Sequence, residues 1–187
     1  VLGRCTKIQD LLMSEDKDYA GTLMLGATTD TQDAEGKVVE ERPVPELNET
    51  NVRAAFEKFR GDFYQMPPMV SAIKMGGVPL YKLARQGKVV EREPRLVHVY
   101  NYAIGRIASP EIDFRVNCSK GFYVRTYAHD IGDALGCGAH LKTLRRTKSG
   151  RFDVAGAISV AEIKTVDPVE ILGRILTLPE VSRMRGA

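Results

Sequence analysis

The sequence has 187 residues, of which 43% are hydrophobic and 27% charged, and its formal net charge is +3. This length and composition predict one globular domain with a core of its own, and they exclude a collagen-like chain, a disordered tail and a disulfide scaffold. The three cysteines (Cys5, Cys118 and Cys137) are odd in number and widely spaced. This pattern favours a reduced, cytoplasmic protein. No apolar run approaches the roughly 18 residues that a membrane span needs.

The first half of the chain predicts both strands and helices. The predicted elements are a strand at 17–25, a turn at 33–36, a returning strand at 37–41, a helix at 48–60, a loop at Pro67-Pro68 and a short helix that ends at Gly87. Asn48 is suited to cap the longer helix, and Gly61 to stop it.

The second half continues in the same mixed manner. Its predicted elements are strands at 95–107 and 111–118, a helix at about 122–135, a strand at 140–146 and two short helices at about 159–164 and 167–176. Because strands and helices intermix without regular βαβ alternation, the fold class is predicted as α+β. We expect a mixed, largely antiparallel sheet flanked by helices.

Positive charge is concentrated in two stretches. Residues 117–151 hold seven Lys or Arg against two acids, and residues 74–95 hold six against two. Such concentration in a nearly neutral protein suggests a polyanion partner, although an ordinary solvated surface gives the same pattern.

The densest group of chemically useful residues is CSKGFYVRTYAHDIGDALGCGAHLKTLRRTKSGRF, residues 118–152. It places Tyr123 and Arg125 near the start of a predicted helix, which is a favourable place for an anion. After that helix, Leu144 precedes two arginines, which suits a base on the apolar residue and phosphates on the cations.

A metal site is the weaker interpretation of the same region. Cys137 and His140 form one short Cys/His pair, with Cys118 and His129 upstream, whereas structural zinc sites usually have two such pairs. We therefore expect small residues that turn the chain from helix to strand, and no metal.

Three segments together resemble one enzyme family. Residues 118–152, EDKDYAGTLMLGATTDTQDAEGKV (15–38) and MPPMVSAIKMGGVPLYKLARQGKVVERE (66–93) are similar, in family order, to the TruB-type tRNA pseudouridine synthases, the bacterial relatives of dyskerin. The resemblance implies a partial pseudouridine-synthase catalytic domain over 1–160. A short helical extension over 161–187 would follow, without a complete C-terminal RNA-binding domain.

The resemblance also implies an activity. Enzymes of this family isomerise a uridine in the T-loop of tRNA by breaking the N-glycosidic bond, turning the base and rejoining it through C5. The target nucleotide is flipped into a pocket. The implied partner is the T-arm of tRNA. No metal or organic cofactor and no membrane is implied, and a monomer is the default expectation.

Three residues match the family's site positions. Tyr19 matches a tyrosine that stacks on the flipped base and assists proton transfer at C5, although a strand tyrosine is more often a core residue. Arg125 matches the arginine that pairs with the catalytic aspartate, the alternative being a surface salt bridge. Leu144 matches an apolar residue of the base pocket, the alternative being core packing. The candidate RNA contacts are Lys74, Lys120, Tyr123, Arg145 and Arg146.

Two positions depart from the family pattern. Phe122 stands where a Thr is usual, a local change that we expect to be tolerated. The family's nucleophilic aspartate lies in a GTLDP-type motif upstream of the segment that VLGRCTK resembles. The aspartates that fall in other motifs are Asp16, Asp18, Asp30, Asp33 and Asp130.

No nucleophile is therefore assigned. We expect an N-terminally truncated fragment that binds RNA weakly and does not isomerise uridine on its own. The alternative is a non-catalytic RNA-binding module on the same scaffold that natively lacks the nucleophile.

Overall fold

An antiparallel six-stranded sheet forms the centre of the computed structural model, which describes residues 1–88 and 90–186. The strands are β1 (Lys17–Leu25), β2 (Ala27–Thr29), β3 (Val38–Glu41), β4 (Gly61–Gln65), β5 (Lys74–Met75), β6 (Val78–Pro79), β7 (Arg95–Ala108), β8 (Glu111–Cys118), β9 (Ala139–Ser149) and β10 (Phe152–Asp153). The order across the main sheet is β10-β9-β1-β8-β7-β4, while β2 pairs with β3 and β5 with β6.

Seven short α-helices accompany these strands in the described part of the chain, besides 3-10 helices at Gly3–Ile8 and Val154–Gly156. They are α1 (Gln9–Met13), α2 (Glu49–Glu57), α3 (Leu80–Arg85), α4 (Val124–Ala134), α5 (Val160–Ile163), α6 (Pro168–Gly173) and α7 (Leu178–Arg185). The α+β class and the largely antiparallel sheet are confirmed. The predicted strands and helices are present, β1 and β8 with the predicted bounds and the others with shifted ends. The elements not predicted from the sequence are β2, β4, β5, β6, β10, α1 and α7. The predicted division near residue 160 stays a prediction.

Alternating side chains explain the two central strands. In β8 the side chains of Ile112, Phe114 and Val116 are buried, while Asp113 and Arg115 between them face the other side of the sheet. Successive strand residues point to opposite faces, so one face of β8 joins the core and the other remains polar. We call these the helix face and the open face.

Helix α2 begins where its cap residue predicts. The Asn48 side chain accepts a hydrogen bond from the Asn51 backbone N–H at 2.9 Å, and the Asn51 side chain accepts one from the Asn48 N–H at 3.0 Å. Two otherwise unpaired donors are thereby satisfied. The buried residues Val52, Ala55 and Phe56 then turn towards the sheet.

Helix α4 packs on the helix face. Val124, Tyr127, Ala128 and Ile131 recur at helical spacing and are buried. The Tyr127 ring lies 5.2 Å from that of Phe122, between ring centroids. Phe122 therefore fills the aromatic core, and its expected tolerance as a departure from the family pattern stays a prediction.

Within residues 1–88 and 90–186, no helix is long and apolar enough to cross a bilayer.

Candidate active site

Strands β1 and β9 bring Tyr19, Leu144 and Arg146 to one place. In the register of the two strands, Tyr19 pairs with Arg146 and Gly21 with Leu144. Tyr19 also pairs with the buried Val116 on β8, which puts its ring on the helix face. An aromatic ring, an exposed apolar side chain and a cation are thus neighbours.

The environment of Tyr19 is mixed. Burial raises the pKa of its hydroxyl above the ordinary value, the nearby Cys118 adds to this, and the Arg146 guanidinium acts in the opposite direction. Its ring packs partly against the core. The hydroxyl is therefore held protonated beside a cation, in a position to donate or pass on a proton.

Leu144 is not a core residue. Its side chain is 46% exposed, so core packing does not account for an apolar side chain at this position. An exposed leucine beside a half-buried tyrosine leaves an apolar surface on which a planar base can rest.

Arg125 occupies the first turn of α4 and holds two other segments. Its Nη1 atom lies 2.9 Å from Asp33 Oδ2 and donates to the Thr31 carbonyl at 3.2 Å, and its Nη2 donates to the Val70 carbonyl at 2.6 Å. The Arg125 and Asp33 side chains are only 23% and 24% exposed. A surface salt bridge does not describe this arrangement, because most of the guanidinium is withdrawn from water and tied to backbone.

The partner of Arg125 was not identified from the sequence. Asp33 Oδ1 accepts hydrogen bonds from the Thr31 hydroxyl at 2.6 Å and from the Glu35 backbone N–H at 3.2 Å. The one available signal was the turn DAEG, which explains Asp33 as a turn residue and does not reveal a partner 92 positions away.

The loop that carries Asp33 is fixed to α4 and β9. Gln32, with a φ of +62°, accepts a hydrogen bond from the Thr126 hydroxyl at 2.8 Å on its side-chain oxygen. The backbone of Leu141 donates to the Gln32 carbonyl at 3.0 Å and accepts from the Ala34 N–H at 3.0 Å. Leu141 precedes Leu144 by three residues, so this loop is attached to the strand that carries Leu144 and Arg146.

Two hydrogen bonds of the Gln65 side chain fix the backbone at the start of α4. Gln65, at the end of β4, is 2% exposed. Its side chain accepts from the Tyr123 N–H at 2.8 Å and donates to the Tyr123 carbonyl at 3.1 Å. This pairing fixes the residue before the helix, and through it the direction in which Arg125 leaves α4. No local sequence pattern indicates this role of Gln65.

The remaining candidate RNA contacts are spread over the surface. Lys74 is exposed on the β5–β6 hairpin, and Lys120 is exposed in the turn before α4. Arg145 pairs with Ala20 in register, so it lies on the open face, opposite to Arg146. The structure therefore does not bring Arg145 to the Tyr19 cluster, and its contact with RNA stays a prediction.

No group of three or more His, Cys, Asp or Glu residues is placed to hold a metal ion in the described ranges. All three cysteines are free thiols.

Comparison with known proteins identifies the class of enzyme. Residues 1–124 match the model of the TruB family pseudouridylate synthase N-terminal domain, and residues 125–171 match the tRNA pseudouridylate synthase B C-terminal domain. The protein is thus of the pseudouridylate synthase class. The Arg125–Asp33 ion pair joins the two matched regions, because Asp33 lies in the N-terminal match and Arg125 is the first residue of the C-terminal match.

The chain belongs to the TruB family. It is 51% identical over 176 residues to tRNA pseudouridine synthase B of Opitutus terrae, covering 94% of this chain and 73% of the relative. It is 45% identical to the enzyme of that name from Syntrophotalea carbinolica, covering 97% of this chain and 60% of the relative.

A solved structure has the same fold. The chain matches one in the crystal structure of a Cbf5-Nop10-Gar1 complex with a TM-score of 0.64 and 26% identity, covering 87% of this chain and 39% of that one.

Proposed function

We propose that the protein is a tRNA pseudouridine synthase that isomerises a uridine of the T-loop. The observation that carries this proposal is the cluster of Tyr19, Leu144 and Arg146 on two adjacent strands, linked through β9 to the Arg125–Asp33 ion pair. Relatives named tRNA pseudouridine synthase B support tRNA as the substrate.

The reaction is an isomerisation without redox change. The bond from ribose C1′ to N1 of uracil breaks, the base turns and C1′ bonds to C5. The C5 proton then leaves, and N1 gains a proton. In this protein Leu144 and the Tyr19 ring would hold the flipped base between them, a contact worth about 1–3 kcal/mol per stacked base. The Tyr19 hydroxyl would take part in proton transfer at C5, with Arg146 beside it.

Arg125 would orient the nucleophilic carboxylate, and Asp33 would position Arg125. We do not assign the nucleophile to Asp33, because both its oxygens are already engaged, by Arg125 on one side and by Thr31 and Glu35 on the other. A carboxylate used in this way fixes a neighbouring cation and keeps it charged and aligned.

Release of tritium from [5-³H]uridine in a tRNA transcript tests the activity, because C5 loses its hydrogen in this reaction. In the full gene product, Arg125→Ala should lower the rate of release at least about a hundredfold, as removal of an essential charge donor does, and largely spare RNA affinity. Arg53→Ala, a substitution on α2, serves as the control. If the Arg125→Ala variant keeps its turnover, Arg125 does not orient the nucleophilic carboxylate.

Residues 1–187 alone should bind the RNA without releasing tritium, because none of their aspartates matches the family's nucleophile motif. A T-arm hairpin should bind more tightly than an anticodon-arm hairpin of equal length. Equal affinities for the two hairpins would contradict the T-loop as the target.

We further propose that the protein acts as a monomer in the cytoplasm. Free thiols at Cys5, Cys118 and Cys137 support a reducing compartment. Sedimentation at micromolar concentration tests the monomer.

A further inference from the structure

A groove on the open face of the sheet borders the candidate active site at Leu144, which lines it, and extends over the face opposite to the Tyr19 ring. It has a volume of about 660 Å³ and crosses β7, β8, β1 and β9. Its lining includes the small residues Ala20, Ala103 and Gly105, and also the ion-paired Arg106 and Asp113. The floor therefore leaves room for a ligand that lies flat on the sheet.

Two arginines stand on this floor, one on each side of Ala20. In register, Ala20 pairs with Arg115 on β8 and with Arg145 on β9. Because adjacent strands are about 4.8 Å apart, the two arginine α-carbons lie about 10 Å apart with only a methyl group between them. Both side chains are exposed.

Neither arginine is neutralised within the described ranges. Two other cations near the groove are paired. Arg106 lies 3.5 Å from both Glu111 and Asp113, and Lys142 lies 2.6 Å from Glu111. Among residues 1–88 and 90–186, no carboxylate lies within 4 Å of Arg115 or Arg145. The groove thus presents two free guanidiniums, which suit phosphate oxygens.

Strand β9 connects this groove to the candidate active site. Along its outer side β9 pairs with β10 only at Lys148 and Ser149, and it contacts the Asp33 loop at Leu141. Between these points the edge is open, again within the described residues. A nucleic-acid backbone that crosses this edge meets Arg146 on the helix face and Arg145 on the open face.

We propose that the Arg115–Arg145 groove binds the phosphate backbone of the same RNA, on the face of the sheet opposite to the flipped base. This inference rests on the proposed function for the identity of the partner. It adds a second contact surface that fixes the RNA around the β9 edge. Phosphate contacts of this kind set position and carry no sequence information.

A different explanation is that Arg115 and Arg145 serve only to prevent aggregation. Charged residues near an exposed strand edge, as Arg145 is on β9, discourage pairing with another chain. On that explanation, their removal would promote aggregation and leave RNA binding unchanged.

The salt dependence of tRNA binding distinguishes these explanations. The 187-residue chain is titrated with an unmodified tRNA transcript between 50 and 200 mM salt, as wild type and as Arg115→Gln/Arg145→Gln. Each lost phosphate contact lowers the slope of log K against log salt by about 0.7–0.9, so the double variant should lose about 1.4–1.8. Arg115→Lys/Arg145→Lys should retain the wild-type slope, since the slope depends on charge.

Arg53→Gln/Arg60→Gln is the matched control, because it removes the same charge from exposed residues at the α2 end of the molecule. This control should keep the wild-type slope. If the groove variant and the control have equal slopes, the inference is overturned. Sedimentation then shows whether the groove binds a second copy of the chain or the arginines only prevent aggregation. If the wild-type chain binds no tRNA, the proposed function and the inference both fail. A slope loss confined to the groove variant supports the inference even if Tyr19 proves to have no role.

Discussion

At the scale of single residues, Tyr19 makes two sets of contacts that substitutions can separate. Its ring packs against the core, and its hydroxyl lies near Arg146. In the full gene product we expect Tyr19→Leu to lose nearly all turnover while the protein still folds, because both the stacking ring and the hydroxyl are gone. Tyr19→Phe should keep RNA affinity and lose turnover. Near-normal tritium release by Tyr19→Leu would show that Tyr19 is a core residue without a role in the reaction.

The buried carboxyl of Asp130 makes the free energy of unfolding depend on pH. Burial raises its pKa to about 6, Asp133 adds to the shift and His129 opposes it. The ordinary value is about 3.9. Below about pH 4 the carboxyl is protonated in both the folded and the unfolded state and has no effect. Between pH 4 and 6 the unfolded state loses the proton first, so stability falls as the pH rises, and the loss is complete above pH 6.

Asp130→Asn should therefore stabilise the protein by about 1–3 kcal/mol at pH 7.5 and by little at pH 4. Urea unfolding at the two pH values measures the difference. Asp10→Asn on the exposed surface is the control and should show no such change. An equal effect of Asp130→Asn at both pH values would exclude the burial penalty.

At the scale of elements, the contact between α4 and β9 depends on Gly132. A Cβ there would overlap the backbone of Gly138 and Ala139, at the start of β9. Gly132→Ala should push the helix off the strand and lower the free energy of unfolding by about 1–3 kcal/mol, as overpacking does. Gly173→Ala in α6, where a Cβ would meet nothing within 4 Å, should be neutral or slightly stabilising. Thermal unfolding compares the two variants.

The elements also show what a sequence can predict. Strand β1 was predicted at 17–25 because its apolar residues alternate, and α2 because Asn48 caps it. Strand β4 was missed, since GDFYQ follows a helix at once and puts two aromatic residues side by side. It becomes a strand by pairing with β7, and the register of that pairing is decided by the tertiary structure.

The site was only partly predictable for the same reason. The resemblance supplied Tyr19, Arg125 and Leu144. Asp33 and Gln65 enter through contacts with residues 92 and 58 positions away, which no local pattern indicates. The separation of Arg145 from Arg146 could have been predicted, because neighbours in a strand face opposite sides of the sheet.

At the scale of the whole molecule, one ion pair ties the last helix to the start of the sheet. Arg185 Nε lies 2.7 Å from Glu15 Oε1, and the two side chains are 22% and 15% exposed. Arg185→Ala leaves that carboxylate poorly solvated and should cost about 1–3 kcal/mol. It should also expose α7 to protease before the sheet opens. Arg183→Ala in the same helix is the control. Equal protection of α7 in both variants would show that the ion pair does not hold it.

The position of β1 between β8 and β9 has a consequence for how the protein is made. Residue 25 leaves the ribosome well before residues 111–118 and 139–149, the two partners of β1. At about 5–20 residues per second, β1 waits roughly 5–19 s for β8 and roughly 6–25 s for β9. During that interval its alternating apolar residues are available to other nascent chains. We expect this strand to depend on ribosome-bound chaperones during synthesis, although both its edges are paired in the finished sheet.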